Sequence, residues 1–357
     1  MARLDSFLRL VVEQHASDLH FHSGAVPTIR FDGGLLRLPF RTLTETETRR
    51  FLFEVMDEGQ RAQFETDKQV DFLYVVEGLG RFRANVYVQN HGMGAVFRVI
   101  RLTPPTLDDL AVPQVLRKLP HLQNGLVLVT GPTGSGKTTT LAAMVHEVNR
   151  TSARHIITVE DPIEVLHTPI KSVVSQRQVE KHTETFASAL RAALRESPDV
   201  LVVGEMRDQE TVQLALSAAE TGVLVLGTLH TNSAAKAVDR IIDILPPETR
   251  EQARSVLSVL LRCVASQHLC RRANGEGRVA VMEVLLHTWA VANMIREGKG
   301  HQIDAYLQTA GNDGTGMISL DASIARAVRN GYITMEEGLR VANYPDQVQL
   351  MVGDAIR

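Results

Sequence analysis

The hydrophobic rhythm of the chain changes near residue 103. Before that point it is short and mixed. Leu4, Phe7, Leu8, Val11 and Val12 recur at the spacing of one helix face. Ser17-Asp18-Leu19-His20-Phe21-His22 alternates as a half-buried strand does. Residues 27–38 enclose Asp32-Gly33-Gly34 and predict a hairpin. A helix is predicted over 44–64, entered through Thr44, Glu45 and Glu47. Strand-like runs follow at 70–76, 81–89 and 94–100, punctuated by Gly78, Gly80 and Gly92. Thr103-Pro104-Pro105-Thr106 then marks a boundary, because adjacent prolines admit neither helix nor central strand.

From Gly125 onward the strands become apolar throughout, at 126–130, 156–159, 200–203 and 224–229. Helical faces separate them, such as Phe186, Leu190, Ala193 and Leu194, or Val212, Ala215, Leu216 and Ala219. Apolar strands alternating with helices predict a parallel sheet covered on both faces. Beyond Pro246-Pro247 the pattern is mostly helical, apart from a hairpin across Asn274-Gly275-Glu276-Gly277. The expected organisation is a small α+β domain over 1–103, a linker over 104–120, and an α/β domain over 121–357 with a helical C-terminal portion.

Composition narrows the class. In 357 residues, 44% are hydrophobic and 22% charged, which suits a globular chain of about two domains. Apolar runs are too short to span a bilayer, and the first residues do not read as a secretory signal, so the expected address is the cytoplasm. Two cysteines, Cys263 and Cys270, exclude a disulfide scaffold and a four-cysteine zinc site. A net charge of −3 lends no support to a nucleic-acid binder.

The strongest chemical signal is Gly131-Pro132-Thr133-Gly134-Ser135-Gly136-Lys137-Thr138, a full match to G-x-x-x-x-G-K-[ST] between an apolar strand and a helix. Glycines let backbone N–H groups turn toward phosphate oxygens, and the helix N-terminus adds its positive dipole end. Lys137 is placed to meet the β- and γ-phosphates of ATP, and the Thr138 hydroxyl to ligate Mg²⁺. Downstream, Glu160-Asp161-Pro162-Ile163-Glu164 and Gly204-Glu205 put carboxylates at the C-terminal ends of strands, where ligands bind in open α/β sheets. One such acid can hold Mg²⁺ and another can polarise the attacking water. Thr228-Leu229-His230-Thr231-Asn232-Ser233 ends a further strand and suits a side chain that senses the γ-phosphate.

Together these blocks resemble the secretion ATPases of type II secretion and type IV pili. Ala218-Ala219-Glu220-Thr221-Gly222 and Asp239-Arg240-Ile241-Ile242-Asp243 fit as well. Within that superfamily the chain resembles the pilus retraction (twitching-motility, PilT) branch. It starts directly with the Ser17-Asp18-Leu19-His20 block, lacks a tetra-cysteine insertion, and carries Ala290-Val291-Ala292-Asn293-Met294-Ile295-Arg296-Glu297-Gly298-Lys299, similar to the retraction signature. The resemblance implies a PAS-like first domain, a RecA-like P-loop ATPase domain and a homo-hexameric ring that drives pilus retraction. The ring would act at the cytoplasmic face of the inner membrane on a pilus platform protein, beside a paralogous retraction ATPase and with no direct nucleic acid. It also implies ATP held by residues 131–138 and Thr139, Mg²⁺ by Thr138 and Glu205, Glu164 as base, and His230 as sensor. Arg81, Arg83 and Arg98 match arginines that approach the nucleotide.

Two positions depart from the pattern: Val223 stands for a box histidine, and Ala292 for the first arginine of the signature. They keep an accessory, weakly hydrolysing paralogue open beside the main motor. A nucleic-acid translocase is the other alternative. The remaining residues carry bland expectations. Asp18, His20 and His22 share a strand face and read as packing rather than a metal site, the two cysteines as small buried side chains, and Trp289 as core.

Overall fold

The computed structural model describes residues 2–31, 34–100, 104–310 and 315–353. It divides into two compact units, Met1–Thr103 with Glu164–Leu166, and Pro104–Ile163 with His167–Arg357. In the first, α1 (Asp5–Glu13), β1 (Asp18–His22), β2 (Thr28–Phe31) and β3 (Gly34–Arg37) precede α2 (Glu45–Val55) and α3 (Glu58–Asp67). β4 (Gln69–Val76), β5 (Gly80–Gln89) and β6 (Gly92–Ile100) complete it. The strands form one antiparallel sheet in the order β3-β2-β1-β6-β5-β4. Its core packs Leu8, Leu52 and Phe64 of the helices on Leu19, Phe21, Phe82 and Phe97 of the strands. β2 and β3 pair as the predicted hairpin requires, but Asp32 and Gly33 at its tip lie outside the described residues, as does Thr103.

The single helix expected over 44–64 is two helices. Asp57 interrupts it: its carboxylate accepts the Gln60 N–H at 2.8 Å, while the Gln60 side chain accepts the Asp57 N–H at 3.0 Å. A capping box inside a helical run starts a new helix, because the short side chain competes for N–H groups that the run would otherwise use.

The second unit begins with residues 104–120, where Leu107, Val112, Leu116 and Leu119 are buried in its core. It continues through β7 (Gly125–Thr130), α4 (Lys137–Thr151), β8 (His155–Glu160), β9 (Val173–Gln178), α5 (Phe186–Ala193), β10 (Val200–Val203) and α6 (Gln209–Glu220). Next come β11 (Leu224–Leu229), α7 (Ala234–Ile244), α8 (Arg250–Leu260), β12 (Leu261–Arg271) and β13 (Arg278–Leu286). The remainder is helical: α9 (Trp289–Arg296), α10 (His301–Ala310), α11 (Leu320–Arg329), α12 (Met335–Val341) and α13 (Pro345–Gly353). The sheet order is β13-β12-β7-β11-β10-β8-β9, parallel except for β13. Every residue of β7, β10 and β11 is buried. Leu126, Leu128, Leu201 and Val203 face the cluster under α6 and α7, and Val127, Val129, Val200 and Val202 the cluster under α4. This is the α/β class that the uninterrupted apolar strands predict.

Three expectations change. The stretch after Pro246 holds the hairpin expected across 274–277, but its arms, β12 and β13, are long strands where mostly helix was expected. The run Ser266-Gln267-His268, polar on both faces of β12, hides the strand period from a reading of hydrophobicity. Trp289 is 87% exposed at the start of α9 instead of packed in the core. Val223 is buried at the entry to β11, the end of the strand away from Thr228 and His230. At about 3.3 Å per residue, a histidine there would stand some ~20 Å from the motif at the other end. Cys263 and Cys270 are buried thiols on β12, as expected, and burial pushes both up in pKa.

α6, which follows the Glu205 segment, is capped by Asp208. Its carboxylate accepts the Thr211 N–H at 2.9 Å and the buried Thr211 hydroxyl at 3.0 Å. Asp208→Ala is expected to destabilise the second unit by about 1–2 kcal/mol, and Asp208→Asn by much less. Urea unfolding measures this, and an unchanged midpoint for Asp208→Ala would contradict the capping role.

Candidate active site

Parallel strands expose their C-terminal ends on one edge, and here that edge collects the predicted chemistry of the second unit. Gly131 follows β7, Glu160 ends β8, Glu205 lies two residues beyond β10, and His230 follows β11. The phosphate loop leads into α4 through Gly136, which holds φ +87°. Lys137 is buried, and its Nζ donates to the carbonyls of Gly131 at 2.9 Å and Pro132 at 3.0 Å. Thr138 and Thr139 sit half-buried in the first turn of α4.

One residue that the motif reading missed holds the loop. Gln267, on β12 beside β7, is buried. Its Nε2 donates to the Ser135 carbonyl at 2.6 Å, and its Oε1 accepts the Thr140 hydroxyl at 2.7 Å. The loop approaches so closely that a Cβ on Gly131 would stand 2.3 Å from the Gln267 carbonyl oxygen, and one on Gly136 2.8 Å from Gln267 Nε2. With φ at +141° and +87°, both positions require glycine on two counts. The only advance signal is that Gln267 is a polar residue in a strand that must pair next to the loop.

Buried Ser135 Oγ has no partner among the described residues. A buried hydroxyl normally finds one, and a phosphate oxygen in the loop supplies it. Together with Lys137 and the α4 N-terminus, this donor set fits a nucleotide phosphate chain.

Glu205 is fixed from two sides. Arg207 Nε lies 2.6 Å and His230 Nε2 3.2 Å from its Oε1. Burial pushes its carboxyl up, but the Arg207 hydrogen bond and the neighbouring His230 and Arg207 charges outweigh that and hold it below its ordinary value. His230 Nδ1 is 3.5 Å from Thr133 Oγ1 in the phosphate loop. The His230 imidazole thus lies between the Glu205 carboxylate and the loop hydroxyl. The Glu205 segment is stitched to β11: Met206 N–H donates to the Thr228 carbonyl at 3.0 Å, and the Thr228 hydroxyl donates to the Gly204 carbonyl. Glu160 accepts from the Thr158 hydroxyl at 2.6 Å and the Gln176 amide at 3.2 Å.

The other predicted residues belong to the first unit. Glu164 is exposed and groups with it. Arg83 and Arg98 stand directly opposite each other across β5 and β6, with Arg81 two residues along on the same face. Arg98 is anchored through Nε to buried Asp18 at 2.8 Å, and Arg83 lies 3.5 Å from Asp71. His22 Nε2 is 3.0 Å from the Tyr87 hydroxyl. Among the described residues no cluster of three metal-binding side chains occurs, and no helix is long and apolar enough to cross a membrane.

A sequence profile of the type II/IV secretion system protein family matches residues 2–340. The chain belongs to that family. It is 45% identical, over 96% of its length and 99% of the relative's, to the type IV pilus retraction ATPase PilT of Pseudomonas aeruginosa. It is 37% identical to the type IV pilus ATPase PilU of the same organism, over 98% of this chain and 91% of that one. A crystal structure of the pilus retraction motor PilT with bound ADP superposes with a TM-score of 0.88 at 42% identity, covering 98% of this chain and 99% of the other. The phosphate loop, Glu160, Glu205 and His230 lie along one sheet edge of the second unit, and Glu164 groups with the first.

Replacing Gln267 by leucine leaves the Ser135 carbonyl and Thr140 hydroxyl buried and unpaired, at about 1–3 kcal/mol each. Gln267→Leu is expected to weaken ADP affinity by about tenfold or more while circular dichroism stays unchanged. Calorimetric titration checks it, and wild-type affinity would contradict the role given to Gln267.

Proposed function

We propose that this chain is an ATP-hydrolysing motor, assembled as a ring of six copies, that drives retraction of a type IV pilus. The observation that carries the reading is the 45% identity to a pilus retraction ATPase across nearly the whole of both chains. The site chemistry supports it. Phosphate oxygens of ATP enter the loop formed by residues 131–139, and Lys137 exchanges its two carbonyl partners for the β- and γ-phosphates. Thr138 and Glu205 would hold Mg²⁺, which would neutralise negative charge on the phosphate chain. An ion of this kind takes one or two carboxylates plus phosphate and water, so it needs no larger cluster. His230 links the Thr133 side of the loop to Glu205 and is suited to register whether a γ-phosphate is present.

Glu164 accepts the proton of the attacking water, and Arg81 and Arg98 supply positive charge to the transition state from the first, PAS-like unit of the same or a neighbouring copy. Arginines in that role raise phosphoryl-transfer rates by about 10³–10⁵. The motor works at the cytoplasmic face of the inner membrane against a platform protein, beside a paralogous ATPase. Higher identity to PilT than to PilU favours the main motor over the accessory paralogue. Val223, buried at the strand's far end, gives no reason to expect weak hydrolysis.

Lys137→Ala is expected to lower ATP turnover by about 10²–10³, and Glu164→Gln to retain ATP affinity while hydrolysis stops. Arg98→Ala is expected to lower turnover far more than affinity. In a twitching strain deleted for its retraction ATPase, the wild-type chain should restore motility and Lys137→Ala should not. Near-normal turnover of Lys137→Ala would overturn the site, and ATP turnover without restored motility would overturn the pilus assignment.

A further inference from the structure

Two ionisable side chains outside the nucleotide chemistry, one buried and one half-buried, touch the segment that starts at His230. Glu283, on β13, is 4% exposed, and its Oε1 accepts the Ala234 N–H at 2.7 Å. Ala234 is the first residue of α7. The backbone of Leu320, the first residue of α11, bonds to the same carboxyl. One side chain therefore closes two helix N-termini, whose serine caps, Ser233 and Ser319, serve the Lys236 and Ala322 N–H groups. On β12, His268 hydrogen-bonds to the backbone of Asn232. The short segment from His230 to Ala234 is thus attached to the β12–β13 hairpin at both Asn232 and Ala234.

The same carboxyl lies at the end of a polar row. Glu283 pairs in register with Ser266, and Ser266 with Thr130, the residue before the phosphate loop. Residues in register project to one face of the sheet. Ser266 Oγ and Thr130 Oγ1 are both buried without a partner among the described residues. The row runs from Glu283 to the base of the loop by strand register alone.

We propose that Glu283 is a positioning residue for ATP hydrolysis, its carboxylate clamping the N-terminus of α7 and thereby fixing His230 between Glu205 and Thr133. The proposal rests on the ATPase reading given above. Ionised acceptors bond N–H groups about twice as strongly as neutral ones, and helix N-termini favour negative charge. Burial pushes the Glu283 carboxyl up to about 7, the backbone N–H groups oppose the shift, and Asp304 on α10 and Asp321 on α11 add to it. Lys236 on α7 acts on Asp304, and His268 on β12 is pushed down by burial, so it is neutral where Glu283 titrates. The clamp accordingly strengthens as pH rises through neutrality.

The test is kcat and KM for Mg-ATP from pH 6 to 8.5, on the full-length wild type and Glu283→Gln. Wild-type kcat should rise about fivefold with a midpoint near pH 7, the difference between a charged and a neutral acceptor. Glu283→Gln should stay flat near the low-pH level, with KM within about twofold of wild type. An unchanged pH step in Glu283→Gln overturns the proposal. Amide exchange in wild type, corrected for its intrinsic pH dependence, should show protection of residues 233–236 rising through the same midpoint, and flat protection also overturns it. Absence of ATP hydrolysis at every pH would sink the motor reading instead, and the exchange profile would then decide the clamp by itself.

Discussion

A loop built to present backbone N–H groups to an anion has little stiffness of its own, and here its shape depends on one side-chain amide. Gln267 gives its N–H to the Ser135 carbonyl and takes the Thr140 hydroxyl, so it grips the loop and the first turn of α4 at once. That grip exists because β12 lies parallel to β7 and carries Gln267 just past the level of Thr130. It also dictates sequence elsewhere: Gly131 and Gly136 lie where any Cβ would collide with Gln267. Two segments some hundred and thirty residues apart must therefore agree before the loop can receive a phosphate chain.

The remaining chemistry of the second unit follows from the same sheet. Parallel strands deliver the loop, Glu160, Glu205 and His230 to one edge, and short bonds from β11 to the Glu205 segment keep two of them in register. Glu205 is held ionised between a guanidinium and an imidazole, and that imidazole also faces the phosphate loop. A change at the phosphate end can thus reach α7 through His230 and the four residues after it. Beyond them, the carboxyl of Glu283 ties α7 to α11.

What could be read from the chain in advance was whatever is local. The phosphate loop announces itself because its glycines and lysine meet backbone requirements within eight residues. The four apolar strands announce themselves because burial on both faces leaves only a lone threonine as polar residue in any of them. Gln267, Glu283 and the row through Ser266 and Thr130 could not be read, since their meaning lies in the register of strands distant in sequence. The break at Asp57 was readable in principle from Asp57 and Gln60, but the surrounding helical spacing masked it. β9 is a half-exposed edge strand with mostly polar residues, and it carries too weak an alternation to stand out. Trp289 misled because aromatic bulk usually goes inside, whereas here it opens a surface helix.

The central claim is that the sheet edge carrying Lys137, Glu205 and His230 hydrolyses ATP. Phosphate release by the purified full-length chain, followed against ATP concentration with and without Mg²⁺, tests it most directly. The account predicts saturable release that requires Mg²⁺ and is indifferent to added DNA. Tight ATP binding with no phosphate released at any Mg²⁺ concentration would contradict it.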